Sequence, residues 1–185
     1  MPEIMKRNGQ DANRNLRISK QIELRRSDDG EPDAPRRITG YAAVYGELSV
    51  NLGGFRERIE PGAFRDTLAE DVRALLNHDS NFVLGRTTAG TLRLAEDETG
   101  LAFEIDLSDS QTVRDLVVTP VERGDINQCS FSFYLDSPAD HAWEEMDDGT
   151  PLHIVKRARI DDISVVTYPA YPQTSADVRS ALQAF

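Results

Sequence analysis

At 185 residues the chain has the length of one domain, and 39% hydrophobic with 29% charged residues is enough to build a soluble core. A formal net charge of −11 argues against nucleic-acid binding, which needs a clustered basic surface. One cysteine, Cys129, excludes an intrachain disulfide framework and a cysteine-based metal site.

No run approaches the roughly 18 apolar residues of a membrane span, and the polar start MPEIMKRNGQDANRN lacks a secretory signal, so a cytoplasmic protein is expected. Residues 1–15 have no periodicity and are expected to be flexible. From 16 to 24, LRISKQIEL alternates apolar and polar as a half-buried strand does. The turn-rich SDDGEPDAP at 27–35 leads to a second strand, ITGYAAVYG, at 38–46. A loop containing Asn51, Gly53 and Gly54 precedes a short strand, FRERIE, at 55–60. Pro61 opens an expected helix, PGAFRDTLAE, because its missing N–H is harmless in a first turn.

Three compact segments, 72–78, 83–97 and 101–107, read as strands of a meander. Ser108 and Asp109 are good N-caps for the amphipathic run SQTVRDLVVTPVERG; Gly124 stands at its expected stop, and Pro120 must kink or shorten it. INQCSFSFYL at 126–135 reads as a strand and is followed by a polar acidic turn. LHIVKRARI at 152–160 and DDISVVTYPAY at 161–171 are two more strands, the last apolar enough to be central. SADVRSALQAF at 175–185 is expected as a short amphipathic helix after Pro172. The sum is mainly β with a few helices, an α+β protein. A closed or nearly closed β-barrel flanked by helices is expected, because closure removes exposed strand edges.

The chemistry has few candidate groups. His78, His141 and His153 are the three histidines, and none has a partner at metal-ligand spacing. EEMDDG at 144–149 lacks the spacing of a calcium loop, and no Gly-rich phosphate loop follows a strand, so no cofactor is expected. An activated serine remains, which needs a neutral imidazole within reach and a third group to orient it. His78, in LLNHDSNFVLG, stands at a strand end; it is either a general base or a surface turn residue held by Asp79. On an alternating strand Ser130 and Ser132 share one face, and Cys129, Phe131 and Phe133 share the other. If the phenylalanines face the core, the serines face out, as a nucleophile or as ordinary polar residues. Cys129 is a rival nucleophile or a small buried apolar residue.

The segments GYAAVYG, ERIEPGAF, LLNHDSNFVLGRTTAGTLRL, GLAFEIDL, RGDINQCSFSFYL and IDDISVVTYPAYPQT occur in this order. Together, over residues 38–174, they resemble the tailed-phage prohead protease family, related to the herpesvirus assemblins. The resemblance implies an assemblin-like fold and a serine endopeptidase. It carries the family's histidine onto His78 and its serine, in a Met-Ser-Phe-Gly-Phe type motif, onto Ser130. This chain has Cys129 for the methionine and Ser132 for the glycine, so Ser132 stays a second candidate. The acidic residue ahead of a Val-Ser-Pro-Val-Thr type strand falls on Asp162, with Asp161 expected on the opposite strand face. His153 is the alternative third member, in an assemblin-like Ser-His-His arrangement. Asp162 is favoured because a carboxylate fixes the imidazole tautomer and stabilises the imidazolium. Arg86 is either a supporting cation near the site or a surface residue paired with a carboxylate.

The implied reaction is acyl-enzyme hydrolysis of the scaffold segment of the major capsid protein, and of the protease itself. It would take place inside the assembling prohead in the bacterial cytoplasm. The implied partners are that capsid protein and a second copy in a homodimer, with no nucleic acid and no membrane. Residues 16–172 would form the protease domain and 173–185 a helix or tail. The rival reading is the same fold without activity, as a scaffold or capsid-binding module.

Overall fold

The computed structural model describes residues 15–26 and 36–168. The lead segment save Asn15, the 27–35 connection and the C-terminal helix expected at 175–185 lie outside the described residues. In chain order the strands are β1 (Asn15–Gln21), β2 (Glu23–Arg26), β3 (Arg36–Val44), β4 (Arg56–Ile59), β5 (Arg73–Leu76), β6 (Asp79–Arg86), β7 (Leu92–Glu96), β8 (Gly100–Asp106), β9 (Gln128–Tyr134), β10 (His141–Glu145), β11 (Pro151–Val155) and β12 (Arg159–Val166). They form a five-stranded sheet in the order β1-β9-β12-β5-β6, a four-stranded sheet β2-β3-β8-β7 and a three-stranded sheet β10-β11-β4.

The expected closed or nearly closed barrel does not form; all three sheets are open. The edge strands β1 and β6, β2 and β7, and β10 and β4 have no further neighbouring strand among the described residues, and the first expected strand breaks at Ile22. β1 pairs with β9 in one sheet, β2 pairs with β3 in the other, and buried Ile22 turns the corner between them. Its N–H donates to the Asn127 carbonyl at 3.0 Å, the last contact in the register that sets Gln21 opposite Gln128 before the chain crosses to the other sheet. A chain that switches sheets by a bend makes a corner between two packed layers. Ile38, Phe103, Ile105, Phe131, Phe133 and Ile163 meet in the core, all 2% exposed or less. Each such side chain contributes roughly 1.5–3 kcal/mol by leaving water. Gly100 opens β8 because a Cβ there would stand 2.0 Å from the Ala43 carbonyl oxygen.

Other elements differ in detail. After Pro61 the chain makes a turn and a 3-10 helix, Arg65–Ala69, instead of a full helix. The Thr67 hydroxyl, which accepts the Ile160 N–H at 2.8 Å, ties this turn to β12, buried Phe64 packs its ring edge-on against Phe131 of β9, and so short a run has little helical stability of its own. The run after residue 110 is helical, as α1 (Gln111–Val113), a π-helical stretch (Arg114–Val118) and α2 (Thr119–Arg123). Ser110, rather than Ser108 or Asp109, is the N-cap, accepting the Val113 N–H at 3.3 Å. The widened π turn accommodates Pro120, and Gly124 ends the run at φ 80°. The 83–97 segment divides into the end of β6, a 3-10 turn at Thr87–Ala89, and β7. The expected acidic turn contains β10, which pairs with β11.

β12 positions the site. It runs antiparallel to β9 and parallel to β5, so it is covered on both sides, and Ile163 to Val166 are all buried. Its register sets Asp162 opposite Ser132 and Ser164 opposite Ser130.

Candidate active site

β9 is divided by its alternation. Phe131 and Phe133 stack in the core at 5.7 Å between ring centroids. Cys129 lies on their side, fully buried, with its Sγ 3.7 Å from the Tyr41 carbonyl oxygen. Ser130 and Ser132 take the other face, as the alternation requires. That face is not open to solvent, contrary to expectation: Ser130, Ser132 and Ser164 are 0% exposed and Asp162 2%.

His78 reaches this face from the tight turn between β5 and β6. Buried Leu75 and Leu76 anchor the end of β5, and the chain reverses through Asn77 and His78, both left-handed at φ 53° and 57°. Positive φ is unfavourable for these side chains, although Asn and His tolerate it better than most. Cross-links to β12 hold it. Thr167 N–H donates to Asn77 Oδ1 at 2.8 Å, and His78 N–H donates to Ser164 Oγ at 3.1 Å. The imidazole then lies between two partners, Nδ1 2.7 Å from Asp162 Oδ1 and Nε2 2.8 Å from Ser130 Oγ. With an ionised carboxylate accepting at Nδ1, the proton sits there and Nε2 turns its lone pair to the serine. Asp79, the alternative partner for a surface turn histidine, instead accepts from the Asn81 backbone and side chain at 2.9 and 2.8 Å.

Asp162 is held on three sides. His78 Nδ1 and Ser164 Oγ, the latter at 2.7 Å, donate to Oδ1, and Ser132 Oγ donates to Oδ2. Burial pushes its pKa up, but hydrogen bonds from His78, Ser132 and Ser164 outweigh that and hold the carboxyl below its ordinary range. A register shift between Ile160 and Asp162 interrupts the alternation, and Asp161 Oδ2 also comes within 3.4 Å of Ser132 Oγ. Ser130 Oγ has a second acceptor, the Arg17 carbonyl of β1, at 2.6 Å. A hydroxyl, an imidazole and a carboxylate in series can move a proton from oxygen to nitrogen while the carboxylate stabilises the resulting cation.

Other candidates lie elsewhere. His153, on β11, is buried in a separate cluster, its Nδ1 2.8 Å from Glu57 Oε2 and its Nε2 2.8 Å from His141 Nδ1. Trp143 stacks on its ring at 4.6 Å. Glu57 also accepts from the Arg17 guanidinium, at 2.6 Å from Nη2. Burial pushes the Glu57 pKa up, but Arg17 and His153 bring it down to about 2. Burial and the neighbouring His153 lower the pKa of His141. Arg86 forms an exposed two-point pair with Asp71, at 2.7 and 2.6 Å, which is the surface role. Ser164 carries no catalytic motif in the sequence; its spacing of two from Asp162 on a strand is the one signal that places it on the same face. The Arg17 contact is a backbone one and leaves no residue-type signal. Among the described residues no cluster of three or more His, Cys, Asp or Glu side chains is arranged for a metal ion, and no helix is long and apolar enough to cross a membrane.

Residues 20–184 match the family of caudovirus prohead serine proteases, and the chain belongs to that family. Among solved structures it is similar to that of the bacteriophage T4 capsid assembly protease, gp21, with a TM-score of 0.57 at 12% sequence identity. The match covers 85% of this chain and 98% of that one, and at such identity it speaks for the fold. No curated protein matches the chain.

Proposed function

We propose that this protein is a serine endopeptidase of the phage prohead in which Ser130 is the nucleophile, His78 its base and Asp162 the group that orients the base. The observation that carries this reading is the continuous relay: Ser130 Oγ 2.8 Å from His78 Nε2, and His78 Nδ1 2.7 Å from Asp162 Oδ1. His78 takes the Ser130 proton as the oxygen attacks a peptide carbonyl. The imidazolium, paired with Asp162, returns the proton to the leaving amine. Water, activated by the same base, then releases the acyl group and regenerates the serine.

By its membership of the prohead protease family, its substrates are the scaffold segment of the major capsid protein and the protease chain itself. It works as a homodimer inside the prohead in the bacterial cytoplasm. Ser130 is fully buried and shares its proton with the Arg17 carbonyl, so attack requires this face to open toward a substrate.

The test is co-expression with the capsid protein, read as loss of the scaffold segment. Ser130→Ala should reduce cleavage by at least about 10⁴-fold, and Cys129→Ala should leave it within about threefold. Cleavage by Ser130→Ala, or its loss in a folded Cys129→Ala, would contradict the assignment.

A further inference from the structure

Ser132, the second candidate nucleophile of the sequence, faces a carboxylate rather than an imidazole. Its hydroxyl donates to Asp162 Oδ2 and lies 3.4 Å from Asp161 Oδ2. Ser164, two residues beyond Asp162 on the same strand face, donates to Asp162 Oδ1 at 2.7 Å and accepts the His78 backbone N–H at 3.1 Å. These contacts close a ring: the His78 N–H to Ser164, Ser164 to Asp162, and the His78 Nδ1–H to the same Asp162 oxygen. Backbone and ring of His78 are thereby fixed to one point on β12. The register that sets Ser132 opposite Asp162 completes the arrangement from β9.

Both serines and Asp162 are buried, and an ionised carboxylate accepts hydrogen bonds only. Without donors a buried carboxyl takes up a proton, and a protonated Asp162 would no longer hold its partner tautomer. Around Asp162 stand His78 from the turn after β5, Asp161 beside it, and Arg73 opposite it on β5, whose guanidinium is engaged with Asp71 at 3.0 Å.

We propose that Ser132 and Ser164 are positioning residues of this site, whose hydroxyls keep Asp162 ionised and aimed at His78 Nδ1, with Ser164 also pinning the His78 backbone. This rests on the catalytic reading above and has its own test.

The carboxyl carbon of Asp162 is titrated by NMR in the full chain, in wild type, Ser132→Ala, Ser164→Ala and the double variant. Its titration should move to higher pH in each single variant and further in the double. The hydrogen-bonded His78 Nδ1 proton resonance should weaken in Ser164→Ala. In capsid-protein cleavage each single change should lower kcat about tenfold with KM unchanged, the loss expected for one hydrogen bond to a charged group. Ser132→Thr and Ser164→Thr keep the hydroxyl; they should restore the titration and remain informative if the double variant does not fold. An unmoved Asp162 titration in both single variants would overturn the proposal.

Fluorophosphonate labelling of wild-type Ser130 reports separately on the catalytic reading. No labelling with the titration shift intact would remove that reading and leave the carboxylate cradle standing. Labelling without the shift would remove the cradle alone.

Discussion

Ser130 and Cys129 are adjacent in sequence but occupy opposite faces of β9, so the pleat alone separates a candidate nucleophile from a core residue. The serine meets His78 Nε2; the thiol meets a carbonyl oxygen among phenylalanines. At this scale the sequence was legible in who shares a face with whom. It did not disclose that the serine face is buried, because burial depends on what is packed over a strand, and alternation reports only which side a residue takes. Asp162 belongs to the same scale. Asp162→Asn keeps the shape and removes the charge, and an amide facing His78 Nδ1 favours the wrong tautomer. Turnover of the proposed capsid substrate should fall by about 10⁴-fold while substrate binding is unchanged, as steady-state kinetics would read. A fall of less than tenfold would show that Asp162 does not orient His78.

At the scale of elements, Arg17 on β1, Glu57 on β4 and His153 on β11 tie the edge of the five-stranded sheet to the three-stranded one. Glu57 is buried and its folded pKa, about 2, lies below its ordinary 4.5. A depressed carboxyl pKa stabilises the fold fully above the unfolded value, and that stability is lost as pH falls through the folded one. Acid unfolding followed by circular dichroism should therefore steepen between pH 4.5 and about 2, and Glu57→Ala should remove that part of the slope. At neutral pH the same change should cost about 1–3 kcal/mol in urea unfolding, because it leaves the buried His153 Nδ1 without its acceptor. An unchanged acid slope would contradict this role. None of this cluster was legible as a cluster. His153 stood out by residue type, but its partners come from β4 and β10, one of them in a segment whose acidic composition reads as a turn. Similarly, PGAFRDTLAE has a helix start in its proline, yet Phe64 packs on Phe131 of β9 and Thr67 bonds β12, and the turn stays short.

For the whole molecule, strand content and order along the chain could be read from alternation and turn residues, but closure could not. LRISKQIEL looks like one strand; it breaks at Ile22 because its two halves pair with different strands, β9 more than 100 residues away and β3 nearer by. The parallel pairing of β12 with β5 is equally non-local, and it is what carries the turn at His78 over Asp162. Three residues far apart in the chain thus come into one relay through sheet register, and the family resemblance, more than any local spacing, pointed to them.

The most direct measurement of that relay is the site of covalent modification by a fluorophosphonate, located by peptide mass spectrometry in the presence of the proposed capsid substrate. Modification of Ser130 in wild type and its absence in His78→Ala is the predicted result. Modification of Ser132 or Cys129 instead, or of Ser130 at an equal rate without His78, would contradict the account.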